Sequence, residues 1–290
     1  MTRRACLVAL VALVGPGQQT ATAQTGLLVV AHGANAAWNA AVRETVAHVA
    51  WPAGPIATAF LMGAEAETDG WDQGIATLVR GGARSIVVVP LMVSSAGAHH
   101  RQIQFFAGGL PALPPELAGH VHGPHARPPV PTRVTPALDG APELAARLGE
   151  LWSGLAPVDR RASMMLIAHG PTADDDAARW LADLRRAVAP TARAAGVPFD
   201  VGLLRDDAGP DIRATAVEDS RARIRALANA TGDSVTVLPV LVSTGRIATT
   251  TIPGDLAGLP IRYVPTPLAP STHLARWIER VALAHVAAIR

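Results

Sequence analysis

The chain has 290 residues, 49% hydrophobic and 17% charged, which supplies apolar material for a folded core and excludes a chain disordered over most of its length. All 25 basic residues are arginines, yet the formal net charge is only +2 and no basic cluster is interleaved with aromatics, so composition gives nucleic-acid binding no support. The length suits one large domain or two of ordinary size.

The first stretch, MTRRACLVALVALVGPGQQTATAQ, pairs Arg3 and Arg4 with an apolar run from Ala5 to Val14 and the small-residue site Ala21-Thr22-Ala23. That is the pattern of a secretory signal peptide cleaved after Ala23, and the expectation is an exported, periplasmic protein. The apolar run is short of the roughly 20 residues a membrane span needs, and no later stretch reaches that length without charges, so no membrane attachment is expected after processing. The single cysteine, Cys6, lies in this leader, so the mature chain has no disulfide and no thiolate metal site.

Beyond the leader the sequence repeats itself. LLVVAHGAN at 27–35 returns as MMLIAHGPT at 164–172, and SIVVVPLMVSSAG at 85–97 returns as SVTVLPVLVSTG at 234–245. A third block near 134–152 has an echo near 265–281. The same order of blocks occurring twice reads as a tandem duplication with its seam near 153–162. The expected boundaries are a leader over 1–23, an N-terminal domain over 24–153 and a C-terminal domain over 154–290.

Apolar runs predict strands near 26–31, 55–61, 85–91 and 119–123, with helices near 36–50, 66–81 and 141–153. GPHARPPVPTR at 123–133 reads as a surface loop. In the second half, strands are expected near 163–168, 198–204, 234–241 and 261–265, with helices near 174–195, 211–230 and 271–288. Strands such as Ile86-Val87-Val88-Val89 are apolar on both faces, as in a parallel sheet covered on both sides. The fold class is therefore α/β, two tandem doubly wound parallel sheets flanked by helices.

In such sheets ligands bind beyond the carboxyl ends of the strands. His32 and His169 each follow the first strand of a half, and His99 and His100 lie past the third strand of the first half. Imidazole is the commonest metal ligand at neutral pH and also moves protons. His32 and His99 could share one cleft with His100 beside them, holding Co2+, Ni2+, Zn2+ or Fe2+ without caging it. The plainer alternatives stay open: His32 in a tight turn, His99 and His100 in an exposed polar loop, His169 a relic of the duplication. Arg246 and threonines stand where half one has its histidine pair. His48, His120, His122 and His125 read as surface residues. Asp174-Asp175-Asp176 suits the N-terminus of the following helix. No GxGxxG, GxxxxGK[ST] or serine nucleophile elbow is present, so no nucleotide is expected.

A strand ending in VVAHG, a later VVVPLMVSSAGAHH, and a duplicated α/β half resemble the class II tetrapyrrole chelatases of the CbiX/SirB type, most clearly over 26–110. The resemblance implies ATP-independent insertion of Co2+ or Fe2+ into a sirohydrochlorin-type tetrapyrrole in a cleft between two lobes, within a monomer of pseudo-twofold symmetry. It carries the roles of metal ligand and proton acceptor to His32 and His99. Arg101 and Arg246, with His169, become candidates for binding the substrate's carboxylates. Two positions depart from the family pattern: FLMG puts Met62 where FLE is common, with Glu65 the nearest carboxylate, and Gln102 stands where an acid often precedes the isoleucine. Those departures and the leader leave a second function open, an exported metal or tetrapyrrole carrier without turnover.

Overall fold

A computed structural model describes residues 24–113, 115–117 and 125–286. The expected leader and His120 and His122 lie outside them.

The first half runs β1 (Gln24–Ala31), α1 (Ala36–Ala47), β2 (Ile56–Phe60), α2 (Trp71–Arg80), β3 (Ala83–Leu91), α3 (Ala98–Phe106), β4 (Thr132–Val134) and α4 (Pro142–Ser153). After a short helix α5 (Pro157–Arg160) the second half follows as β5 (Ser163–Ala168), α6 (Asp174–Ala195), β6 (Phe199–Leu203), α7 (Pro210–Thr231), β7 (Val235–Val240), a π-helical turn at 247–251, α8 (Ile252–Asp255), β8 (Ile261–Tyr263) and α9 (Thr272–Val286). Two four-stranded parallel sheets result, ordered β2-β1-β3-β4 and β6-β5-β7-β8. The inner strands β5 and β7 are buried along their whole length, which explains their unbroken apolar runs.

The duplicated helix–sheet pattern was legible, but two elements fall where the sequence misdirects. The strand expected at 119–123 lies outside the described residues, and the strand that pairs with β3 is β4, which starts in the last two residues of the stretch read as loop. Pro131 accepts a 2.9 Å hydrogen bond from the Ile86 amide just before β4. Proline at the start of a three-residue edge strand removes no needed donor, so a Pro-rich signature and an edge strand coexist. The segment around His99 and His100 is not an exposed loop but the first turn of α3. Its buried apolar side chains are Ile103 and Phe106, too few for a helical period to stand out behind His-His-Arg-Gln.

The two halves are fastened through one hydrophobic core. Leu144, Leu148 and Trp152 of α4 share it with Leu184 and Val188 of α6 and with Trp277 and Ile278 of α9. The C-terminal helix α9 packs on β1 and β3 of the first sheet, and α4 packs on α6. Among the described residues no helix is long and apolar enough to cross a membrane.

Candidate metal-transfer site

Strands β1 and β3 are neighbours, with Ala31 in register with Leu91, so the segments leaving their carboxyl ends emerge side by side. This is the point where β2 lies on one side of β1 and β3 on the other, the switch point at which open α/β sheets bind ligands. His32 leaves β1 there and His99 begins α3 there. Their rings meet edge to face with centroids 4.8 Å apart.

Each ring is oriented through Nδ1. His32 Nδ1–H donates to the Gly33 carbonyl at 2.8 Å, and His99 Nδ1–H donates to Gln102 Oε1 at 2.9 Å. In the neutral ring each bond assigns the lone pair to Nε2, the arrangement a metal-binding imidazole requires. Gln102, at a position where the family pattern often has an acid, thus orients the second histidine. Crowding by protein around His32, then the charge of His99, pushes its pKa down to about 4, with a lesser contribution of the same sign from His169. The ring is neutral at physiological pH and ready to bind a cation. Solvent still reaches His32, so the shift governs its protonation more than the stability of the fold.

Gly33 is the glycine of the AHG motif for a steric reason. It sits at φ +84°, and a Cβ there would lie 2.4 Å from the Met62 carbonyl oxygen and 2.8 Å from Phe60 Cβ. The tight turn lets the Met62 amide donate to the His32 carbonyl at 2.8 Å, holding the loops after β1 and β2 together.

His100, expected as a further ligand, is committed elsewhere. It is buried, with Nε2 bonded to the Thr135 carbonyl at 3.1 Å, because in a helix adjacent residues face different directions. Among the described residues no group of three or more His, Cys, Asp or Glu side chains is placed to hold a metal. Glu65 is drawn to Arg43 at 2.5 Å, and Arg43 also reaches Asp69 at 2.6 Å. Arg101, expected to meet substrate carboxylates, pairs with Asp176 of α6 at 2.8 Å. Arg246 is the exposed arginine at the rim of half two, 3.3 Å from both Asp206 and Thr251.

Sequence reasoning missed how half two grips the loop and helix that carry His99. Trp180 Nε1–H of α6 donates to the Ala96 carbonyl at 2.5 Å, and Asp176 holds Arg101 two residues past His99. On the reciprocal side, Trp38 of α1 lies 3.6 Å from where a Cβ on Gly245 would stand, in the matching loop of half two. Asp139, at φ +47°, accepts from both the amide and the hydroxyl of Ser95, at 2.6 and 2.8 Å. A left-handed aspartate bonded to a loop two elements away marks a site where tertiary structure dictates backbone conformation. The triple aspartate was the one available signal: it is not only a helix-end complement, since Asp176 pairs with Arg101 and Asp174 with Arg205 at 2.6 Å.

In half two, His169 repeats the turn of His32. Its Nδ1–H donates to the Gly170 carbonyl at 2.8 Å, Gly170 has φ +80°, and the Arg205 amide donates to the His169 carbonyl as the Met62 amide does to that of His32. Here a carboxylate is added, with His169 Nε2 3.5 Å from Asp207 Oδ2.

Residues 26–151 match the family model CbiX. No curated protein matches the sequence. In structure the chain is similar to SirB from Bacillus subtilis with Fe3+, at TM-score 0.60 and 17% identity over 91% of this chain and 96% of that one. It is similar to the sirohydrochlorin chelatase SirB from Bacillus subtilis subspecies spizizenii in complex with cobalt, at TM-score 0.58 and 15% identity over 92% and 95%. DR2241 from Deinococcus radiodurans, a multi-domain protein with structural similarity to chelatases, matches at TM-score 0.55 and 15% identity over 90% of this chain and 55% of its own. At these identities the structural likeness establishes the chelatase-like fold across both halves.

Proposed function

We propose that this chain, whose residues 26–151 match the CbiX family model, is a CbiX/SirB-like class II chelatase that inserts a divalent metal, Co2+ or Fe2+, into a sirohydrochlorin-type tetrapyrrole without a nucleotide. The observation that carries the reading is the His32–His99 pair: two imidazoles in contact at the switch point, each oriented through Nδ1, one held neutral by its surroundings. Two imidazoles hold a divalent ion in an open coordination sphere, which suits delivery to a ring better than storage. The driving force is the ring's own four-nitrogen chelation, so the protein's part is to present the metal, position the ring and receive its protons. Arg246, exposed at the rim of half two, is the residue assigned to meet a substrate carboxylate, and the metal itself is substrate.

The test uses the chain from Gln24 onward, mixed with sirohydrochlorin and Co2+ and followed by absorption. Metallation above the spontaneous rate, abolished in His32→Ala and in His99→Ala, supports the chelatase. Co2+ bound by wild type and by neither variant, with no acceleration, identifies instead a carrier that kept the fold, the reading favoured by Met62 at the usual glutamate position. The same proposal assigns residues 1–23 to a cleaved export signal, and sequencing the N-terminus of protein recovered from the periplasm checks it.

A further inference from the structure

The two halves place a histidine in the same turn and then give it different company. His32 and His169 each follow the first strand of their sheet, each donates Nδ1–H to the next glycine's carbonyl, and each has its own carbonyl bonded by the amide of the residue at the end of the neighbouring strand, Met62 or Arg205. Counting on from that matched pair, Ala64 of half one corresponds to Asp207 of half two. So half one has an alanine at the position where half two has a carboxylate, 3.5 Å from the His169 Nε2, while His32 has the His99 ring for a neighbour instead.

That difference changes what the ring can do. With Nδ1 bonded to the Gly170 carbonyl, the neutral His169 keeps the lone pair on Nε2, the nitrogen 3.5 Å from the Asp207 carboxylate. The neighbouring acid is committed elsewhere, since Asp206 is held by Arg213 at 2.9 Å and by Arg246 at 3.3 Å. Arg205 turns back to the Pro171 and Thr172 carbonyls and to Asp174. His169 is partly exposed and Asp207 largely so, which gives a proton received at Nε2 a short route to water. His169 and Asp207 also lie near enough to His32 to act on it electrostatically.

We propose that His169, backed by Asp207, is the base that receives the pyrrole protons displaced by the metal, while His32 and His99 hold the metal. This rests on the chelatase reading above. In each transfer a ring N–H bond breaks, its electron pair stays on nitrogen and forms the nitrogen–metal bond, and the proton passes to His169 Nε2 and on to solvent beside Asp207. Two such transfers release two protons for one divalent ion, and nothing is oxidised or reduced. Dividing the two roles between residues lets a proton leave the ring while the metal is still held, because an imidazole nitrogen engaged with a metal has no lone pair for a proton.

The experiment compares wild type, His169→Gln and Asp207→Asn in the full mature chain, with sirohydrochlorin and Co2+. For His169→Gln we expect kcat to fall about 100-fold, in the range of a lost general base, with KM for the tetrapyrrole and Co2+ affinity changed less than about twofold. Adding 2,6-lutidine, a base too hindered to ligate the metal, then raises the rate in proportion to its concentration, which a merely structural role would not produce. Asp207→Asn, on the exposed side of the pair, lowers kcat about 10-fold and serves as the control for folding. An active wild type with unchanged kcat in His169→Gln overturns this inference alone, as does a loss of Co2+ affinity that matches the loss of rate. A wild type that does not accelerate metallation overturns the chelatase reading and this inference with it.

Discussion

Half one and half two share a sheet order, a turn and a glycine at positive φ, yet among the described residues only half one brings two imidazoles together. Where His99 follows the third strand of the first sheet, Arg246 follows the third strand of the second. Where Ala64 stands in the first half, Asp207 stands in the second. The comparison teaches that the strand carboxyl ends are interchangeable frames and that one or two substitutions at their rims change which charged or titratable side chains meet there. The frames are not independent, because Trp180 and Asp176 of the second half fasten the loop and helix that carry His99.

The strongest challenge to this picture is to unfold one half without the other. Trp277→Ala, in the α9 helix that packs on the first sheet from the end of the chain, should cost about 3–5 kcal/mol in denaturant unfolding, with both halves still melting in a single transition. Two separated transitions would mean that the shared core does not couple them. A next, smaller effect concerns the metal-side loop. Asp139→Ala removes both bonds to Ser95, and should weaken Co2+ binding by about 10-fold while costing about 1–3 kcal/mol of stability, measured by titration calorimetry and by denaturation. Trp180→Phe keeps the ring and deletes only the bond to Ala96. A loss of about 1 kcal/mol and a two- to fivefold weaker Co2+ affinity are expected.

Titration sharpens the comparison further. The His32 ring, followed by NMR in metal-free protein, should protonate near pH 4. Removing the neighbouring positive charge in His99→Ala should raise that midpoint, leaving it below 6.5 because crowding by protein is the leading cause. The sign for stability follows. Between pH 6.5 and about 4 the unfolded chain binds a proton at this residue that the folded chain refuses, so stability falls on acidification through that window and His32→Gln should lessen the fall. The smallest change is Ala64→Asp, which copies the carboxylate of half two into half one and should also raise the His32 midpoint; an unmoved midpoint would break the correspondence between Ala64 and Asp207.

Much of the frame was legible before any coordinates. The paired AHG blocks located both turns, the apolar runs located the inner strands, and α6 spans 174–195 as its periodicity predicts, since long amphipathic elements carry many repeated signals. What was hidden involved short or cross-half features. β4 has three residues in a proline-rich stretch, and α3 buries its few apolar side chains behind a polar first turn. His100 looked equivalent to His99 because adjacency in sequence says nothing about which of two side chains a helix sends to its buried side. Arg101 looked available to substrate because its partner, Asp176, is 75 residues away.

The sequence by itself determined the duplication, the parallel α/β class and the two histidine turns, because those rest on local hydrophobic periodicity and on a glycine that must adopt positive φ. Only the tertiary structure decided that His32 pairs with His99 and not with His100, that Gln102 orients the second ring, and that Asp207 stands beside His169. Those outcomes depend on strand order and on contacts between the halves, and neither leaves a periodic trace along the chain.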